Sequence, residues 1–153
     1  MLAEVEEITD LSQTEENEMP SFNHSYICNR VLRQLFENEA IEALPELTLD
    51  IDKGITPDIS VFEKNTIKPN FLRDFVRFPE MPIIAIEVIS ASQNIQDLLE
   101  KAELMVNNGI KAVWTIEPFS GSIFVTTKAG EEIFHNQEVE SENIKVDFKQ
   151  IFG

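Results

Sequence analysis

Two carboxylates sit where a folded chain can least easily keep them. Asp58 lies in Ile55-Thr-Pro-Asp-Ile-Ser-Val-Phe62, and Glu87 lies in Pro82-Ile-Ile-Ala-Ile-Glu-Val-Ile-Ser90. Both runs have the apolar, β-branched character of buried strands. A bare carboxylate there costs several kcal/mol, so each must be paired, hydrogen-bonded or bound to a cation. The alternative is a strand-end position that faces water. Lys101 follows on the next helical stretch and is the natural cation to test against them.

The rest of the chain frames these runs. Ser21 or Asn23 can cap a helix in which Tyr26, Ile27, Val31, Leu32, Leu35 and Phe36 recur at helical spacing, ending near Asn38. Pro45 to Ile51 alternates, with Leu47, Leu49 and Ile51 on one side, and predicts a half-buried strand. Asp52-Lys53-Gly54 reads as a turn, with Ile55 to Phe62 as the hairpin partner. A long polar connection follows over 63–80 and carries Lys64, Lys68, Arg73 and Arg77. Ile83 to Ile89 predicts a central strand covered on both faces. A helix is expected from about Ile95 to Asn108, with Leu98, Leu99, Ala102, Met105 and Val106 inward and Asn108-Gly109 at its end. Lys111 to Glu117 predicts a strand, Ile123–Thr127 and Glu132–His135 a hairpin, and Phe148 to Phe152 a short amphipathic turn after Ile144–Asp147. Helices alternating with strands and hairpins give an α/β fold, a mixed sheet with helices on its faces. One domain is expected over 21–153.

Charge narrows the function. The net charge is −16, and residues 1–19 hold seven acids and no Lys or Arg. Residues 1–20 therefore read as an acidic, flexible arm. The remainder still has 12 basic against 21 acidic residues. That balance argues against a broad basic footprint on nucleic acid, though not against a local basic patch or a substrate met through a cation. No apolar run approaches the ~20 residues of a membrane span, and no basic segment precedes an apolar one at the start, so a cytoplasmic protein is expected. The single Cys28 rules out an internal disulfide and a multi-cysteine zinc site, and its apolar helical context reads as packing.

Two carboxylates, with water on the remaining positions, suit Mg²⁺. Such an ion activates water and stabilises charge on a phosphoryl oxygen, and a nearby lysine can orient the water or offset that charge. Asp58 and Glu87 fit the ligand role and Lys101 the third. Asp97 stands at i, i+4 from Lys101 and could hold it, although that spacing is more commonly a solvated pair.

The order Pro57-Asp58, then Ile86-Glu87-Val88-Ile89-Ser90-Ala91-Ser92, then Asp97-x-x-x-Lys101, then Gly109-Ile110-Lys-Ala-Val-Trp114-Thr-Ile-Glu117-Pro118 resembles the Uma-two family of endonucleases. The resemblance spans roughly 21–153 and includes His24, where the family often has histidine. It implies the PD-(D/E)xK superfamily and a restriction-endonuclease-like fold. It also implies Asp58, Glu87 and the Val88 carbonyl as ligands of Mg²⁺ (or Mn²⁺). Ile89 stands where the superfamily's Glu-x-Lys has its lysine, and the family's lysine from the following helix corresponds to Lys101. Ser90-Ala91-Ser92 replaces Ser-Pro-Ser, Met105 stands where tyrosine is common, and Val113-Trp114 and Glu117-Pro118 replace Tyr-Trp and Asp-Pro.

Supporting roles follow from position. His24 could act over the cleft as acid, base or phosphate contact, or keep a surface hydrogen bond in the first turn of its helix. Glu46, one strand from Asp58, could reach the metal through water. Gln93 is placed to line the cleft. Trp114 and His135 read as structural. The leading expectation is a Mg²⁺-dependent endonuclease, DNA favoured over RNA, working as a homodimer as small double-strand nucleases do. The alternatives are a catalytically silent binding or regulatory module that keeps the same ion network, and an acidic interaction protein acting through its arm.

Overall fold

A computed structural model describes residues 21–153. The acidic arm expected over 1–20 lies outside the described residues. The first helix, α1 (Phe22–Phe36), starts where Ser21 caps it, its Oγ accepting from the His24 N–H at 3.2 Å. Ile27, Val31 and Leu35 recur every four residues and form its buried stripe. His24 and Cys28 continue that stripe to the helix's first turns, so a polar group and a thiol lie where the stripe meets the sheet's end.

Six strands form one sheet in chain order: β1 (Ile41–Pro45), β2 (Ile59–Glu63), β3 (Ile84–Val88), β4 (Ala112–Glu117), β5 (Ser122–Thr127) and β6 (Gly130–His135). All neighbours are antiparallel except β3 and β4, which run parallel because α2 (Ile95–Asn107) connects them. A separate ribbon pairs β7 (Glu138–Ser141) with β8 (Ile144–Asp147), and α3 (Lys149–Phe152) closes the chain.

The sheet is covered on both faces, which explains the near-continuous apolar character of β3. Ile59, Val61, Ile84, Ile86, Val88, Trp114 and Ile116 pack with the α1 stripe, the ribbon and Phe148. Ala85 and Val113 turn the other way and pack with Ala102, Met105, Val106 and Ile110 of α2 and the turn that ends it. Each fully buried aliphatic side chain contributes roughly 1.5–3 kcal/mol. The Gln34 side chain ties α1 to β8, donating to the Asp147 carbonyl at 3.0 Å and accepting from the Asp147 N–H at 2.8 Å.

The hairpin expected across Asp52-Lys53-Gly54 is corrected. The strand stops at Pro45, because Glu46 takes φ +51° and its N–H donates to the Asp58 carbonyl at 3.1 Å. Ile41–Pro45, not Pro45–Ile51, pairs with Ile59–Glu63. Leu49 and Ile51 are buried as their alternation predicts, but against the α2 face, with one bridge between Leu49 and Ile55 in place of a ladder. Gly54 makes the turn at φ +107°, a left-handed conformation that L side chains rarely adopt. The strand β7 was not anticipated.

Candidate active site

Three elements deliver charged groups to the C-terminal end of β3. Asp58 immediately precedes β2, which runs antiparallel to β3 with Ile59 opposite Ile86. Its carboxylate thereby meets the backbone of the strand's last residue, and the Val88 N–H donates to Asp58 Oδ2 at 2.7 Å. The same oxygen is 3.0 Å from His24 Nε2 of α1. Glu87, two residues beyond Ala85, shares its face of the strand and so faces α2, where Lys101 Nζ donates to its Oε1 at 2.9 Å. The cluster straddles the sheet: His24 comes from one covering layer, Lys101 from the other, and the two carboxylates from between.

Burial sets the electrostatics. Glu87 is 4% exposed. Desolvation is the largest influence on its carboxyl and pushes its pKa up from 4.5 to about 7; Lys101 pulls it down and the Asp58 charge pushes it further up. His24 holds its proton to a higher pH than a free imidazole, chiefly through its hydrogen bond to Asp58, against the opposing effect of burial. The Lys101 side chain remains 31% exposed, so its ammonium reaches both the buried carboxylate and solvent.

The remaining candidates are placed as follows. Gln93 folds back on the loop after β3, its Oε1 accepting from the Ser90 N–H at 2.9 Å, which fixes the path from Glu87 to α2. Glu46 is exposed; its charge acts on His24 and its backbone N–H holds the carbonyl of Asp58. Asp97 is exposed, and the ion pair of Lys101 is with Glu87, not with Asp97. Met105 is fully buried in the α2 core. Trp114 is fully buried, its indole N–H donating to Ser141 Oγ at 2.8 Å, and His135 Nδ1 is 3.0 Å from Ser122 Oγ. Cys28, which its apolar helical context marks as packing, also has its Sγ within 4.8 Å of both a His24 ring nitrogen and an Asp58 carboxylate oxygen. The sequence signal for that contact is the i, i+4 spacing from His24. A hollow of about 410 Å³, lined by Lys111, Thr127 and Lys128 among others, lies at the opposite end of the sheet.

Comparison with known proteins agrees with this architecture. The family described as "Uma2: Putative restriction endonuclease" matches residues 11–151. Among solved structures, a putative nuclease belonging to DUF820 from Anabaena variabilis superposes with a TM-score of 0.73. It is 22% identical, and the match covers 88% of this chain and 82% of that one, which establishes a shared α/β fold. No curated protein matches the chain. No helix among the described residues is long and apolar enough to cross a membrane.

Proposed function

The chain belongs to the Uma2 family, and from that membership we propose that it is a Mg²⁺-dependent endonuclease that hydrolyses phosphodiester bonds, DNA being the favoured substrate. The observation that carries the reading is the convergence of Asp58 and Glu87, from separate strands, at one end of the sheet. Glu87 is buried beside a second carboxylate that raises its pKa further, and the pull of Lys101 does not restore an ordinary value. A buried carboxylate with unmet demand for positive charge, beside a second carboxylate, is the donor set of a hard divalent cation. Asp58, Glu87 and the Val88 carbonyl would hold it. When bound, Mg²⁺ or Mn²⁺ supplies a water of lowered pKa and positive charge beside the phosphate.

The chain's own groups do the rest. Lys101 is anchored by Glu87 yet open to solvent, and so can turn a donor toward an attacking water or a phosphoryl oxygen. His24, whose proton the hydrogen bond to Asp58 holds to higher pH, is the nearest store of a proton for the leaving oxygen. Gln93 fixes the loop that sets the distance between Glu87 and Lys101.

Preference for nucleic acid is supported by the long connection between β2 and β3. Phe71, Leu72 and Val76 are each more than 90% exposed, Phe75 is also exposed, Arg73 stands among them, and Lys64 and Lys68 precede them on the same connection. Cations for phosphates beside apolar rings for bases are the composition that binds nucleic-acid strands, on a chain that is otherwise acidic. Cleavage of both strands calls for two copies, and we assign a homodimer acting in the cytoplasm.

The test is cleavage of plasmid and of single-stranded DNA and RNA oligonucleotides in Mg²⁺, in Mn²⁺ and in chelator. Cleavage should need the ion and fall by at least on the order of 100-fold in Glu87→Ala and Asp58→Ala. Absence of cleavage with either ion, or an unimpaired Glu87→Ala, would overturn the proposal. It would leave the internal Glu87–Lys101 and Asp58–His24 pairs as the ion network of a binding module.

A further inference from the structure

We propose that His24, Cys28 and Asp58 form a second, softer metal site, suited to Zn²⁺, that shares Asp58 with the carboxylate pair and so opposes occupation of that pair. One imidazole nitrogen, one thiolate sulfur and one carboxylate oxygen make a borderline-soft donor set. Zn²⁺ takes such sets readily, and Mg²⁺, which prefers oxygen, does not.

The geometry is built into the helix. His24 and Cys28 stand one turn apart on α1, which presents both to the same point, and the sheet brings Asp58 to them. One donor atom from each lies within 4.8 Å of the other two. Tetrahedral Zn²⁺, with bonds of about 2.0–2.3 Å, needs donors roughly 3.3–3.8 Å apart. The 3.0 Å separation of His24 Nε2 and Asp58 Oδ2 therefore has to open by only a few tenths of an ångström, the ion taking the place of their shared proton. The fourth position falls to water, as in open three-ligand zinc sites.

The electrostatics run the same way. Burial is the largest influence on the Cys28 thiol and pushes it up to about 12, and the negative charges of Asp58, Glu87 and Glu46 add to that shift. Those carboxylate charges also favour a divalent cation, which replaces the thiol proton on coordination. The imidazole Nδ1 is buried and lacks a hydrogen-bond partner among the described residues, and Nε2 is the nitrogen that meets Asp58.

The site itself stands without the nuclease reading; only its opposition to Mg²⁺ rests on that reading. The deciding experiment is titration of the full chain with Co²⁺, a coloured stand-in for Zn²⁺. One ion per chain should bind and give a thiolate-to-cobalt absorption band, and added Zn²⁺ should abolish the band. Cys28→Ser should lose the band, and His24→Ala should weaken Zn²⁺ by at least about tenfold. Absence of the band in the unaltered chain overturns the site and needs no variant, so a misfolded variant cannot shelter it. Zn²⁺ affinity unchanged in Cys28→Ser overturns it equally. Competition is read separately, as weakening of Mn²⁺ binding by Zn²⁺ in calorimetry. A chain that shows the band but never cleaves nucleic acid refutes the nuclease reading and leaves the site intact.

Discussion

Glu87→Gln should make the protein more stable at pH 8 and leave it nearly unchanged at pH 5. Glu87 has a pKa of about 7 in the folded chain, against 4.5 for a free side chain. Between those values the folded state binds the proton more tightly than the unfolded state. The slope of unfolding free energy with pH is therefore negative, and stability falls as pH rises. Below 4.5 the group is protonated in both states and has no effect. At pH 5 the cost is under about 1 kcal/mol; at pH 8, above both values, it reaches roughly 3 kcal/mol. The pull of Lys101 is already contained in that pKa, so the ion pair is not counted twice.

Glutamine has the same shape and no charge to desolvate. Lys101, partly exposed, can take its ammonium to water once the carboxylate is gone. For a chain of this length, 3 kcal/mol corresponds to about 6–12 °C in Tm. Thermal unfolding of both proteins at pH 5 and pH 8, without divalent metal, is the assay. A gap that is equal at the two pH values, or a variant no more stable than the parent at pH 8, would refute the reasoning. It would mean that Glu87 is not held in a poorly solvated site.

Asp58→Asn should lower the pH at which His24 titrates, since its main support is the hydrogen bond to that carboxylate; ring-proton NMR checks this. His24 contributes stability that is fully present below 6.5 and lost as pH rises through its raised folded value, so the variant's deficit should shrink as pH rises through that window. Lys101→Met should push Glu87 to a still higher pKa, move any cleavage optimum to higher pH and cut the rate on the order of 100-fold, as read from a pH–rate profile. Ser141→Ala should strand the indole N–H of the fully buried Trp114 at a cost of about 1–3 kcal/mol, measurable by urea unfolding followed by tryptophan fluorescence.

The two carboxylates were legible in the sequence because their neighbours are apolar, and a charge in such company has few stable arrangements. The partner of Lys101 shows where spacing misleads. Asp97 has the right interval, but a solvated pair on a helix is worth a few tenths of a kcal/mol. Glu87, buried and ionisable, gains far more from the same ammonium, so the long-range pair forms and the local one does not. The misplaced hairpin has a similar cause. Leu47, Leu49 and Ile51 alternate because one side faces a core, but alternation reports burial and says nothing of which strand lies alongside. Pairing was decided by the positive φ of Glu46, which nothing local to that residue demands. The contact of His24 and Cys28 with Asp58 joins α1 to the end of β2, and only the laying of the helix across the sheet creates it. Local rules thus fail mainly around one end of β3, where a buried carboxylate, a left-handed glutamate and a half-buried thiol gather. A fold selected for stability alone would relieve these, and retaining them together is the mark of a site shaped for binding charge.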